Sequence, residues 1–243
     1  MFTFPARNAR TARLCQHEKV REKANAMRRG DHRADQGRGD GPRAARGGPR
    51  HPSGPAARDA LGAYRERRDF SRTSEPEAQS SPDGAAARFV VQIHDASSMH
   101  FDFRLEAEGV LKSWAVPKGP STDPQDKRLA MPTEDHPLAY RDFEGTIAEG
   151  EYGAGTVIIW DEGTWRQERG RSVTEALERG HLSFRLDGRK LRGGFALTRF
   201  RAGAWLLVKR DDTGADPRGT PDPKRARSAR TGRTLRQTAA DAG

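Results

Sequence analysis

The chain has 243 residues, a formal net charge of +10, a mean hydropathy of −0.93 and 33% hydrophobic residues. That is room for one large domain or two small ones, but too little apolar content for a chain packed throughout into a core. No apolar run has the length of a secretory signal or a membrane span, and the single cysteine, Cys15, excludes an intramolecular disulfide and fits a reducing cytoplasm.

Residues 1–58 read as a flexible basic arm, since residues 1–60 hold 14 Lys and Arg against 6 Asp and Glu and show no apolar periodicity. A short, weakly amphipathic helix is allowed near 9–29. Glu18, Glu22, Asp31 and Asp35 argue against an organelle transit peptide. Residues 214–243 read as a second disordered basic tail, with a net charge of +4 over 215–243. The excess positive charge therefore sits in the arms. Residues 61–214 have a net charge of −2 and hold all four Trp and all three Tyr. Basic arms of this kind attract polyanions by sequence-independent phosphate contacts, although they also serve solubility alone.

The segment between the arms, residues 59–213, reads as one folded domain. Leu61 and Tyr64 predict a short helix within 59–69, followed by a polar loop over 71–87. Strands are predicted at 88–94, 100–107, 110–116, 127–132, 155–160, 164–168, 181–187, 195–199 and 204–210, with turns at Glu108-Gly109, Asp161-Glu162-Gly163 and Asp187-Gly188. Ser172 with Glu175 forms a capping-box signature and Gly180 a helix stop. Many short strands and one clear helix predict a mainly β fold, a small antiparallel barrel flanked by short helices. Gly150 to Gly155 lacks the lysine and helix of a nucleotide loop and reads as a tight turn.

Residues 92–104 carry the chemistry. Strand alternation sends Phe89, Val91, Ile93, Phe101, Phe103 and Leu105 to one face, and Gln92, His94, His100, Asp102 and Arg104 to the other. A turn between Asp95 and Met99 brings the two polar sets together. Such alternation is common on solvated strands, but those faces are built mostly of Lys, Glu, Thr and Ser. Two imidazoles and a carboxylate on one rigid face make a divalent-metal site, and Arg104 beside them suggests an anionic substrate. A second cluster, Thr133 to Tyr140, holds His136 in extended geometry before Pro137, as suits a loop at a barrel mouth. There His136 and Tyr140 can both donate to a phosphate oxygen, as a capped turn would also explain, and Arg128 can add a charge-assisted contact.

These residues resemble a known family. Phe-Val-Val-Gln-x-His-Asp-Ala…His-Phe-Asp-Phe-Arg-Leu-Glu, then Leu-Lys-Ser-Trp-Ala-Val-Pro-Lys-Gly-Pro-Ser, then Glu-Asp-His-Pro-Leu-x-Tyr and Gly-Glu-Tyr-Gly-x-Gly-Thr-Val are similar to the 3′-phosphoesterase domain of bacterial DNA ligase D. Tyr64 to Phe70 and Glu75-Pro76 match its opening motif, and the resemblance covers roughly residues 60–211. It implies that His94, His100 and Asp102 bind the metal, with manganese the usual cofactor, and that Arg104, His136 and Tyr140 engage the scissile phosphate. It also implies active-site roles for Gln92, Arg128, Arg68, Asp69 and Glu75, some of them needed more for the diesterase step. The implied reactions remove a 3′-terminal ribonucleoside from DNA, then the remaining 3′-phosphate. Implied partners are DNA with 3′-ribonucleotide or 3′-phosphate ends and a separate ligase, polymerase or end-binding protein, in a cytoplasmic, nucleoid-associated setting and with no membrane. Ser97, Ser98 and Ile93 stand where members often carry basic residues, which removes positive charge near the site. Two other classes stay open: an iron oxygenase built on His100, Asp102 and His136, and a catalytically silent DNA-binding module.

Overall fold

A computed structural model describes residues 60–77, 87–168, 170, 172–217, 219 and 222–241. The first arm and the helix read near 9–29 lie outside the described residues. The elements are α1 (Gly62–Glu66), β1 (Arg88–Asp95), β2 (His100–Ala107), β3 (Val110–Val116), β4 (Lys127–Pro132), a 3-10 helix (Leu138–Asp142), β5 (Gly145–Ile147), β6 (Gly155–Gln167), α2 (Val173–Glu178), β7 (His181–Gly188), β8 (Arg192–Arg201), β9 (Ala204–Lys209) and α3 (Leu235–Ala240). The strands pair antiparallel in the order β1-β2-β3-β4-β9-β8-β7-β6, and β6 returns to β1 to close an eight-stranded barrel. β5 adds to the start of β6.

The alternation in β1 and β2 sets the inside and outside of this barrel. Phe89, Val91, Ile93, Phe101, Phe103 and Leu105 join Trp114, Ile158, Phe184, Phe195 and Leu207 in one buried cluster. Gln92 pairs with Asp102 and His94 with His100, so the polar sets share the opposite, outer face. That face is covered. Leu61, the N-cap of α1, with Tyr64 of that helix, Leu138 and Tyr140 of the 3-10 helix and Ile147 of β5, packs on Leu111 and Val157 as a second cluster. Gln92 and Arg104 are consequently only 0% and 2% exposed, which decides against a solvated strand face.

Three expectations are corrected. Asp161-Glu162-Gly163 is not a turn but the middle of the unbroken strand β6. The buried Asp161 carboxylate accepts the backbone N–H groups of Arg189, Lys190 and Leu191 at 2.8–3.0 Å, which shapes the β7–β8 turn instead. Gly163 pairs with both Phe89 and Gly188, and a Cβ there would lie 2.1 Å from the Asp187 carbonyl oxygen. Glycine is required for that close approach. Secondly, Ile93 points into the barrel core, so its departure from the family pattern does not alter the charge of the outer face.

Thirdly, the described residues after 213 are packed against the barrel rather than forming a disordered tail. Ala226 and Leu235 join the main core, and the Ala229 N–H donates to the Ile159 carbonyl at 2.7 Å. Arg230 pairs with Glu162 on β6 and with Asp142 of the 3-10 helix at 2.5–2.8 Å. One tail cation, Arg230, is thus answered by acids of the central segment. α3 has a complete capping box, Thr234 with Gln237. At α2 only half of the expected box forms: Ser172 accepts from the Glu175 N–H, while the Glu175 carboxylate pairs with Arg179.

Candidate metal centre

His94, His100 and Asp102 stand together on the outer wall of β1 and β2, with one ligand atom from each lying within 4.8 Å of the others. Each imidazole is oriented by a backbone carbonyl. His94 Nε2 is 2.8 Å from the Gly153 carbonyl oxygen, and His100 Nδ1 is 2.8 Å from that of Ser98. The other ring nitrogens, His94 Nδ1 and His100 Nε2, therefore face Asp102, each 3.7 Å from one of its oxygens. Burial alone would raise the Asp102 pKa, but Arg104 and the two histidines hold it well below the ordinary carboxylate range. Two imidazole nitrogens and a carboxylate held ionised fit a divalent cation. His94, rather than His136, completes this set with His100 and Asp102, so the grouping drawn for an iron oxygenase is not the one that forms.

Arg104 links the cluster to the rest of the wall. Its Nη2 donates to Asp102 at 3.0 Å, its Nε to Gln92 Oε1 at 2.8 Å and its Nη1 to Ser113 Oγ at 2.9 Å. Its guanidinium lies 4.8 Å from the Tyr140 ring centre. Gln92 is a brace: its amide donates to the carbonyls of Tyr140 and Phe143 at 3.1 and 3.0 Å, tying the 3-10 helix to β1. His136 is not at a barrel mouth. It forms a two-way backbone bridge with Leu111 of β3, and its ring packs edge-on against Tyr140 and Tyr64. Its Nδ1 is 2.8 Å from the Glu134 carbonyl oxygen. Burial, then the nearby cations Arg104 and Arg68, lower its pKa well below the usual histidine value, so the ring is neutral. Burial raises the Tyr140 phenol well above its usual value, opposed by Arg104 and reinforced by Glu75, so it stays protonated.

A rim of charged pairs borders this wall. Arg68 Nε and the Glu75 carboxylate form a buried pair at 3.0 Å, and Glu134 accepts from both Arg68 and Arg67 at 3.3 and 3.0 Å. Two expected residues lie elsewhere. Asp69 is exposed, and its carboxylate accepts from the N–H and hydroxyl of Ser71, closing a local turn. Arg128 shares the face of buried Ala130, pairs with Asp126 at 2.7 Å and points away from the outer face marked by exposed Leu129 and Met131. Conversely, Ser113, Glu134 and the Gly153 carbonyl take part without having been assigned roles. Glu134 adjoins the Asp-His-Pro run and offered a visible signal; a backbone carbonyl offers none.

Residues 92–199 match the family model described as the DNA ligase D 3′-phosphoesterase domain. The chain is 51% identical over 158 residues to the multifunctional non-homologous end joining protein LigD of Pseudomonas aeruginosa, covering 63% of this chain and 19% of that protein. It is 46% identical over 149 residues to the multifunctional non-homologous end joining DNA repair protein LigD of Mycobacterium tuberculosis, covering 61% of this chain and 19% of that protein. The corresponding protein of Mycolicibacterium smegmatis is 42% identical over 160 residues, covering 63% of this chain and 21% of that protein. The chain thus spans about a fifth of the length of these relatives.

Proposed function

We propose that this protein is a metal-dependent phosphoesterase of the DNA ligase D 3′-phosphoesterase family, acting on DNA 3′ ends, a reading supported by the match over residues 92–199. It removes a 3′-terminal ribonucleoside and then the 3′-phosphate left behind, giving the 3′-hydroxyl needed for repair by end joining. The observation that carries this reading is the sharing of one carboxylate, Asp102, between two imidazoles and the buried guanidinium of Arg104. A cation site and an arginine joined in this way suit a phosphate bound by both.

His94, His100 and Asp102 would hold the cation, and manganese is the ion we propose. When bound, it supplies Lewis-acid withdrawal of charge from a phosphoryl oxygen. Arg104 uses three of its five N–H groups within the wall and keeps two for the phosphate. Tyr140, protonated, gives a neutral phenol donor beside it. With Nδ1–H directed to the Glu134 carbonyl, neutral His136 offers Nε2 as an acceptor that would orient the attacking water. Arg68, Glu75 and Glu134 form the border where the departing nucleoside of a diester is held. The basic arm adds attraction for DNA, and the setting is the nucleoid-containing cytoplasm, with a separate ligase, polymerase or end-binding protein completing repair. Among the described residues, no helix is long and apolar enough to cross a membrane.

The test is a 5′-labelled primer ending in one ribonucleotide, incubated with and without manganese and resolved on a sequencing gel. A manganese-dependent conversion to a 3′-phosphate and then a 3′-hydroxyl end, lost in His100→Ala, supports the reading. No product from the wild type, or equal product from His100→Ala, overturns it.

A further inference from the structure

We propose that Tyr152 is a stacking platform for the base of the departing nucleoside, a subsite that rests on the diesterase reading above. Tyr152 is 47% exposed, an aromatic side chain the core does not use. It is nevertheless held in place. The Arg67 Nη1 donates to its hydroxyl at 2.9 Å, and the Arg67 and Arg68 guanidinium carbons lie 5.2 and 5.4 Å from its ring centre. Its loop is closed by backbone hydrogen bonds from Glu151 to Ala148 and from Ala154 to Glu151, at 3.2 and 3.0 Å, and Arg72 pairs with Glu151 at 3.1 Å.

Position follows from the next residue. The Gly153 carbonyl, one peptide beyond Tyr152, is the group that orients the metal ligand His94. Gly153 has a φ of +79°, a left-handed conformation that favours glycine in this tight turn. Tyr152 is thereby tied, through one peptide, to the group that orients a ligand of the cation site.

The local chemistry selects a base rather than another phosphate. Arg67 and Arg68 are answered by Glu134 and Glu75, so the spot is not a bare cation patch. What remains available is the exposed aromatic surface between balanced charges. Such a surface accepts the π face of any base, which suits removal of a ribonucleoside whatever its identity. Arg68 contacts both Tyr152 and Glu75, and so connects this platform to the border assigned to the diester.

The experiment compares wild type, Tyr152→Ala and Tyr152→Phe on three primers: one ending in a ribonucleoside, one ending in the same diester-linked ribose without a base, and one ending in a 3′-phosphate. The quantity read is the ratio of kcat/KM for the base-bearing end to that for the other two, taken within each preparation and therefore independent of how much of it is folded. In Tyr152→Ala both ratios should fall about tenfold through KM, the order of one lost base stack, while Tyr152→Phe keeps them. Unchanged ratios in Tyr152→Ala overturn the proposal, as does an equal fall in Tyr152→Phe, which would assign the effect to the hydroxyl. A fall in kcat/KM that is equal on all three primers, and so leaves both ratios unchanged, places the stack on the retained strand and likewise overturns it. A wild type that processes none of the primers overturns the proposed function, and the subsite with it.

Discussion

Replacing Gln92 with Met keeps the length of the side chain and deletes the brace of the catalytic wall. Gln92 is 0% exposed and makes three hydrogen bonds, two to the carbonyls of Tyr140 and Phe143 and one from Arg104 Nε. Each partner is left buried without its bond, at about 1–3 kcal/mol for a neutral group and more for a charged one. Allowing for relaxation, Gln92→Met should lose about 3–5 kcal/mol, a large part of the roughly 5–15 kcal/mol typical of a domain. Urea unfolding followed by tryptophan fluorescence, on four Trp residues all within the folded segment, reads this directly as a lower midpoint at unchanged slope. Gln92→Glu should fare no better, because its second oxygen would face two carbonyls. A loss under about 1 kcal/mol in Gln92→Met would refute the view that this side chain ties the 3-10 helix and Arg104 to β1.

Lys209 is fully buried against Asp212, so Asp212→Ala should cost about 3–5 kcal/mol by stranding the ammonium; an unchanged melting temperature would contradict this. Burial works to raise the Asp212 pKa, but the Lys209 ammonium and the N–H groups of Gly194 and Gly214 hold it down at about 2. A folded pKa below the unfolded value near 4 gives stability that is full above about pH 4 and lost as pH falls towards 2. Asp212→Asn should flatten that acid limb, and an identical limb would show that another group controls it. Glu75→Ala should slow ribonucleoside removal more than 3′-phosphate removal, because Glu75 acts through Arg68 at the diester border; equal slowing in parallel assays of both primers would count against a separate border. Truncation after residue 213 should lower the melting temperature by uncovering the core around Ala226 and Leu235 and removing the Arg230 pair of Glu162; a truncated protein as stable as the full chain would contradict the packing of α3.

Much of the barrel was legible because β2 and β7 obey the simplest rule, one apolar residue in two, and the other strands are short apolar runs with turn residues between. The rule failed where a polar residue had an internal use. Asp161 looks like a turn former but caps a different turn 28 residues away, and no local pattern encodes that partner. The 3-10 helix and α3 went unread for opposite reasons. The first is too short to show a period, while the Thr234–Gln237 cap of the second was plain but lay in a segment judged by its net charge. Among the candidate residues, those on β1 and β2 come together because register follows from alternation. Asp69 was named by resemblance alone and accepts from its neighbour Ser71, while Arg128, read also as a charge-assisted contact, pairs with Asp126. The wall was expected from side chains, yet its histidines are set by the carbonyls of Ser98 and Gly153, which every residue type carries.

The central claim is that His94, His100 and Asp102 form the metal centre of a phosphoesterase. Anomalous diffraction from crystals grown with manganese tests it most directly. The account expects a single peak on the outer face of β1 and β2, bonded to His94 Nδ1, His100 Nε2 and the Asp102 carboxylate and absent in Asp102→Ala. A peak bonded to other residues, or one that persists unchanged in Asp102→Ala, would contradict it.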